Sequence, residues 1–341
     1  MNNQKNYTLE LLKLITSYMV VFIHVKFYGE MGIAIETLAR FAVPLFFLIS
    51  GYYSYQIKPE KILKRAKNIL NLSILAVGSY TVFNIVTLLL KGRVGRVFLY
   101  FAKYLNITKL FKLVVFNVSI SAGHLWFLLA LIYVYLVFYW MTVSRFNEKA
   151  MFILSFLLLG GHLLLGEGLS MVGIRLPLWL VRNFALMGLP FFVLGLFTRK
   201  HENKLHNIPN YALIILAVIG GAEAVISRHL FGRNEMYIGS MLILFALVVW
   251  FIKYANVQYP AFINALSGCS TYIYIFHVMI SSVILGLYKL FAINYEASIG
   301  LQNIHPILVC IASTALAYGM KQRSLKKQKE HKNGRKNLWR S

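Results

Sequence analysis

The sequence predicts an all-α fold: a polytopic transmembrane bundle of about ten helices with both termini on the cytoplasmic side. Three observations predict it. Only 13% of the 341 residues are charged and 59% are hydrophobic, where a soluble domain carries about 25% charged residues. The apolar residues gather into runs long enough to cross a hydrocarbon core of about 30 Å. The lysines and arginines fall mostly between those runs, and that distribution sets orientation in a bilayer.

In chain order the apolar runs fall at 9–28, 37–56, 68–90, 123–142, 150–166, 181–198, 211–228, 238–254, 270–291 and 303–320. The fifth is short for a span. An even count puts both termini on one side, and a cytoplasmic N-terminus puts most of the 35 lysines and arginines inside. That set includes Lys58, Lys61, Lys64, Arg65 and Lys67 after the second run, and Arg199, Lys200 and Lys204 after the sixth. Residues 1–320 read as one membrane domain. Residues 321–341 form a basic cytoplasmic tail, too polar to pack a core, and read as disordered or lying on the membrane surface. The stretch 91–122 opposes this orientation, because Lys91, Arg93, Arg96, Lys103, Lys109 and Lys112 then fall outside. Phe98, Tyr104, Leu105, Phe111, Val114 and Val115 interleave with those charges, so the stretch reads as an amphipathic helix on the outer interface. An odd helix count is the alternative.

The formal charge of +24 would suggest nucleic acid in a soluble protein. Here the charge accompanies membrane spans and no nucleic-acid motif, so the bilayer is the expected partner and nucleic acid is not. Cys269 and Cys310 sit in or beside apolar runs without a CxxC or Cys/His cluster, and read as small hydrophobes. No metal site is expected. The first run exceeds signal-peptide length, contains Lys13 and His24, lacks a small-residue cleavage site and is expected to stay as the first helix. With no GxxxxGK[ST] and no GxGxxG, a nucleotide-hydrolysing pump is not expected.

Charges inside the apolar runs are the candidates for chemistry, because each is costly in hydrocarbon. Lys13 and His24 are eleven residues apart, about 16 Å of helical rise and close to three turns, so they share a face. His24 then lies toward the outer half and Lys13 toward the cytoplasm. Imidazole suits general-base work near neutral pH; a histidine near the interface and a snorkelling lysine is the bland reading. Arg40 falls near the outer end of the second run, as an interface anchor or a contact for a polar or acidic acceptor. Pro44 to Gly51 is expected to distort that helix, with Ser50 bonding to the freed backbone groups. Lys61, Lys64, Arg65 and Lys67 serve either topology or a phosphorylated donor. His124 and Trp126 open the fourth run. Glu223 interrupts the seventh, with Arg40, Arg182 or His24 as possible partners. His277 lies in the ninth, as a core histidine or a functional one.

Taken together, these segments resemble the acyltransferase-3 family of integral membrane acyltransferases. The resemblance rests on Lys13…His24 for Arg/Lys-x10-His, on the Val43–Gly51 run, and on the basic stretch Lys61–Lys67. It rests further on His124-Leu125-Trp126-Phe127, on Pro190 to Gly195, and on Ser270 to His277 for Ser-x-x-Ile-Tyr-x-x-His. These pieces cover about 10–280. Lys13 departs from the commoner arginine and loses its bidentate fork; the sequence holds one membrane unit without the hydrolase-like or racemase domains fused to some relatives.

The resemblance implies a multi-pass cell-membrane O-acyltransferase. It would move an acyl group, acetyl before others, from cytosolic acyl-CoA to a hydroxyl of a cell-surface carbohydrate or lipid-linked acceptor. His24 would act as general base, with an acyl-histidine as a variant, and Lys13 would polarise the donor or a neighbouring carboxylate. Arg40 and Glu223 would orient groups near the reaction centre, Ser50, His124, Trp126 and His277 would contact substrate, and Lys61, Lys64, Arg65 and Lys67 would hold the donor's phosphates. A transporter of a small polar substrate such as an amino acid is the alternative.

Overall fold

The computed structural model describes residues 7–338 apart from 105, 120, 256 and 258, with backbone alone at 103, 104 and 327–338. Every regular element among the described residues is helical. α1 (Tyr7–His24) and α2 (Gly29–Leu38) open the chain, and a 3₁₀ turn at Ala39–Phe41 joins α2 to α3 (Ala42–Tyr52). α4 (Pro59–Leu90) is followed by two short helices, α5 (Arg96–Tyr104) and α6 (Ile107–Phe116), and a 3₁₀ turn at Gly123–Leu125 leads into α7 (Trp126–Val143). α8 (Glu148–Leu163) passes through a wide π turn, Leu164–Gly168, into α9 (Leu169–Met171). α10 (Leu178–Val181) and a second π turn, Phe184–Gly188, precede α11 (Leu189–Lys200). Then come α12 (Glu202–Leu205), α13 (Asn210–Phe231), α14 (Ile238–Lys253), α15 (Ala261–Leu266), α16 (Ser270–Leu290) and α17 (Ile299–Leu338).

Among the described residues, eight helical stretches are long and apolar enough to cross a membrane, and α14 is a shorter apolar helix. The two expected runs outside that set are 238–254, which holds α14, and 181–198. Asn183 accepts hydrogen bonds from the Ala185 and Leu186 amides at 3.0 and 2.9 Å, capping a new helical start and breaking the span there. Residues 91–122 hold two amphipathic helices in place of one, with Phe98, Phe111 and Val114 exposed; Leu105 lies outside the described residues. The last helix continues through Leu338, into the basic stretch read as disordered or lying on the membrane surface; residues 339–341 lie outside the described residues.

Contacts divide the chain into two compact units, Met1–Ala39 with Tyr254–Ser341, and Arg40–Lys253. In the first, α1 packs against α16 and α17 around Leu14, Val21, Val25, Cys269, Ile273 and Val309. Both cysteines are free thiols, Cys269 buried in that core and Cys310 packed against it. Polar ties fix the register: Tyr18 and Thr314 hydroxyls at 2.8 Å, and Lys321 Nζ donating to the Ala265 carbonyl at 2.5 Å.

In the second unit the tightest pairings are α13 with α14, α3 with α11, and α4 with α7. The expected distortion across Pro44–Gly51 is absent: α3 is regular over Ala42–Tyr52 and the irregular turn precedes it. Pro44 sits in the first turn, where its missing N–H leaves no broken bond. Gly51 serves close approach, since a Cβ there would overlap the Phe192 carbonyl oxygen, and a Cβ on Gly195 would overlap that of Leu48. The two glycine-bearing runs are thus the two faces of one helix crossing, a small-residue contact of the kind membrane helices use.

Candidate active site

In the first unit, α1 ends on His24, whose ring is exposed and lies 5.3 Å from the ring of fully buried His277. His277 Nδ1 faces the carbonyls of Tyr274 at 2.8 Å and Ile273 at 3.2 Å. Carbonyl oxygens only accept, so Nδ1 donates and the neutral ring keeps its basic lone pair on Nε2. His277 sits in the second turn of α16, with about 20 Å of that helix still beyond it at 1.5 Å per residue. His24 therefore lies along the body of α16 rather than at its tip. Nearby in the chain, Lys26 pairs with the buried Glu36 carboxylate at 2.6 Å.

Lys13 is directed to Glu10, one turn before it, and Glu10 also accepts from the Ser267 hydroxyl at 3.0 Å. This lysine joins α1 to the segment before α16 through a carboxylate, the second of the two partners that the resemblance allows it.

In the second unit, Arg40 is buried and pairs with Glu235 at 3.5 Å, and Arg182 reaches the other oxygen of the same carboxylate at 3.6 Å. Arg182 also lies 5.3 Å from the centroid of Trp126, which is buried. Burial alone would raise the Glu235 carboxyl, but Arg40, Arg182 and Arg233 outweigh it and hold it below the ordinary carboxylate range. More cation than anion gathers at this point, a composition suited to an anionic or strongly polar ligand group. His124 is buried and its Nε2 lies 3.3 Å from the Tyr80 hydroxyl, a contact that ties α4 to the start of α7.

Glu223 is placed apart from Arg40 and Arg182, which converge on Glu235. It accepts from the Gly239 amide, while Glu167 accepts from the Ser227 hydroxyl and, at 2.8 Å, from the Ile238 amide. Two carboxylates thus meet the first amides of α14, where the helix dipole favours negative charge. Ser50 donates to the Phe46 carbonyl at 2.8 Å, a back-bond within α3. Arg65 Nη1 donates to Ser54 at 2.8 Å and turns inward, while Lys61, Lys64 and Lys67 remain exposed along α4.

Sequence reasoning missed Glu235, Glu36 and Glu167. The first lies in a loop and the second near the end of α2, three positions before the irregular turn, where a carboxylate reads as solvated. It also left His24 and His277 unconnected, although both close family motifs.

The fold and its sites define a helical membrane protein that holds a pair of histidines on one side-chain contact within bilayer-length helices. Residues 6–321 match the family model described as Acyltransferase domain, and the chain belongs to the acyltransferase-3 family. It is an acyltransferase of the membrane class. Neither the curated proteins nor the solved structures give a match to it.

Proposed function

We propose that this protein is a cell-membrane O-acyltransferase that uses acyl-CoA, acetyl-CoA before others, to modify a hydroxyl of a cell-surface carbohydrate or lipid-linked acceptor. The observation that carries the reading is the contact between His24 and His277, an accessible imidazole backed by a buried one with a fixed tautomer. His24 removes the proton of the acceptor hydroxyl as its oxygen attacks the thioester carbonyl. The new C–O bond forms, the C–S bond breaks, and the proton held by His24 passes to the departing thiolate. His277 orients the His24 ring. Lys13 fixes Glu10 and the entry to α16. Lys61, Lys64 and Lys67 bind donor phosphates, with Arg65 holding the helix that carries them. Arg40 and Arg182 bind a polar or anionic group of the acceptor over Trp126, and Glu223 supports α14.

The test is turnover of acetyl-CoA by the purified intact chain with and without His24→Ala. The variant should retain its fold and donor binding and lose turnover by about 10²–10⁴-fold. Full turnover in the variant rules out His24 as the base. A folded wild-type protein that neither binds nor turns over acyl-CoA moves the reading to transport.

A further inference from the structure

A cavity of about 210 Å³ opens in the second unit where α3, α7 and α11 end and α8 begins. Four aromatic residues contribute to its wall: Tyr55, Phe138, Phe146 and Phe197. Phe146 is 36% exposed, and Phe197 is stacked on Phe152 with centroids 4.0 Å apart. Gln56 and Thr142 supply polar atoms, and Arg145 and Lys200 bring positive charge, with Lys200 paired to Glu148. Ile57 also lines the cavity; the exposed Lys58 follows it, and the exposed Lys61 stands four positions on, in the first turn of α4.

Three features together point to a ligand. An apolar cavity of roughly 150 Å³ admits benzene, so this one takes a flat ring system of about two fused rings. Aromatic walls favour such a ring over an aliphatic chain, because every base offers a π-face for stacking. Arg145 holds left-handed backbone at φ 50° because it closes α7, the Phe146 amide donating to the Met141 carbonyl at 2.8 Å. Basic side chains at the mouth then suit phosphates attached to the ring.

We propose that this cavity binds the purine ring of a phosphorylated nucleotide, with Arg145 and Lys61 reaching its phosphates. Resting on the acyl-CoA reading above, the cavity becomes the seat of the donor's nucleotide end, and the lysines of α4 extend it rather than act alone.

Binding of adenosine 3′,5′-bisphosphate to the intact chain, in nanodiscs of zwitterionic lipid, tests this directly. Phe146→Leu should weaken the nucleotide by about tenfold and leave ribose 5-phosphate, which has no ring, unaffected. Arg145→Asn should weaken both, asparagine being tolerant of the left-handed backbone. The partial exposure of Phe146 and the exposure of Arg145 keep both variants compatible with folding. Nucleotide affinity indifferent to both changes overturns the proposal. So does displacement of the nucleotide by phosphatidylglycerol vesicles, which would make the cavity a lipid site. Cavity-dependent nucleotide binding without acetyl-CoA turnover supports the proposal and removes only the acyl-transfer reading. Turnover with a donor KM unmoved by either change overturns the proposal and leaves acyl transfer standing.

Discussion

Glu235 shows how a single loop carboxylate organises buried charge. Arg40 and Arg182 both converge on it, and removing its charge leaves two guanidinium groups in a poorly solvated place. Its depressed pKa fixes the sign of the pH effect: its contribution to stability is complete above the ordinary carboxylate range and is lost as pH falls through the lowered value. Glu235→Gln should therefore melt at a lower temperature than wild type at pH 7, and the gap should narrow in acid. A gap of constant size from pH 7 to about 3 would exclude the ion pairs as its cause. His277 invites a different substitution. Asparagine can still donate to the Tyr274 carbonyl but has no second basic nitrogen, so His277→Asn should keep the melting temperature and lower turnover by roughly tenfold or more. Unchanged kcat in that variant would reduce His277 to a packing residue.

Helix positions were readable from apolar runs, but helix interruptions were not. The start of α4 at Pro59 places the lysine cluster inside a helix, as the proline at its first position allows. The break before α11 depends on Asn183 folding back on two amides, a local bond that competes with an apolar run favouring continuity. The run Pro44–Gly51 reads as a helix weak point, yet Gly51, like Gly195 in α11, is a packing contact, because periodicity within one helix carries no information about the backbone of another. Their substitution makes the distinction measurable. Gly195→Ala must push α11 away from the Leu48 carbonyl and should destabilise by about 1–3 kcal/mol or more. Gly78, in the interior of α4, has open space around its Cβ position, so Gly78→Ala should leave the melting temperature unchanged or raise it through helix propensity. Equal losses at both positions would mean that α3 and α11 do not cross as closely as their glycines allow.

At the scale of the whole chain, composition and charge placement carry the membrane assignment, and the family match joins residues that no single segment could relate. His24 and His277 lie at opposite ends of the sequence, and only the packing of α1 on α16 reveals that their rings meet. The donor and acceptor roles proposed for Lys61 and Arg40 need, in addition, an orientation in the bilayer. The excess of lysine and arginine in the segments after α3 and beyond Lys321 argues for cytoplasmic termini, since such residues resist translocation. Single cysteines test it, in a Cys269→Ala, Cys310→Ala background that silences the two native thiols. Asn3→Cys and Ser341→Cys should react with an impermeant maleimide in inside-out vesicles and stay unlabelled in right-side-out ones. Glu296→Cys, in the exposed turn between α16 and α17, should show the opposite pattern. If both termini label from outside, Lys61 moves to the external face, where a cytosolic acyl-CoA cannot reach it, and the donor site must be sought among Arg40, Arg182 and Arg233 instead.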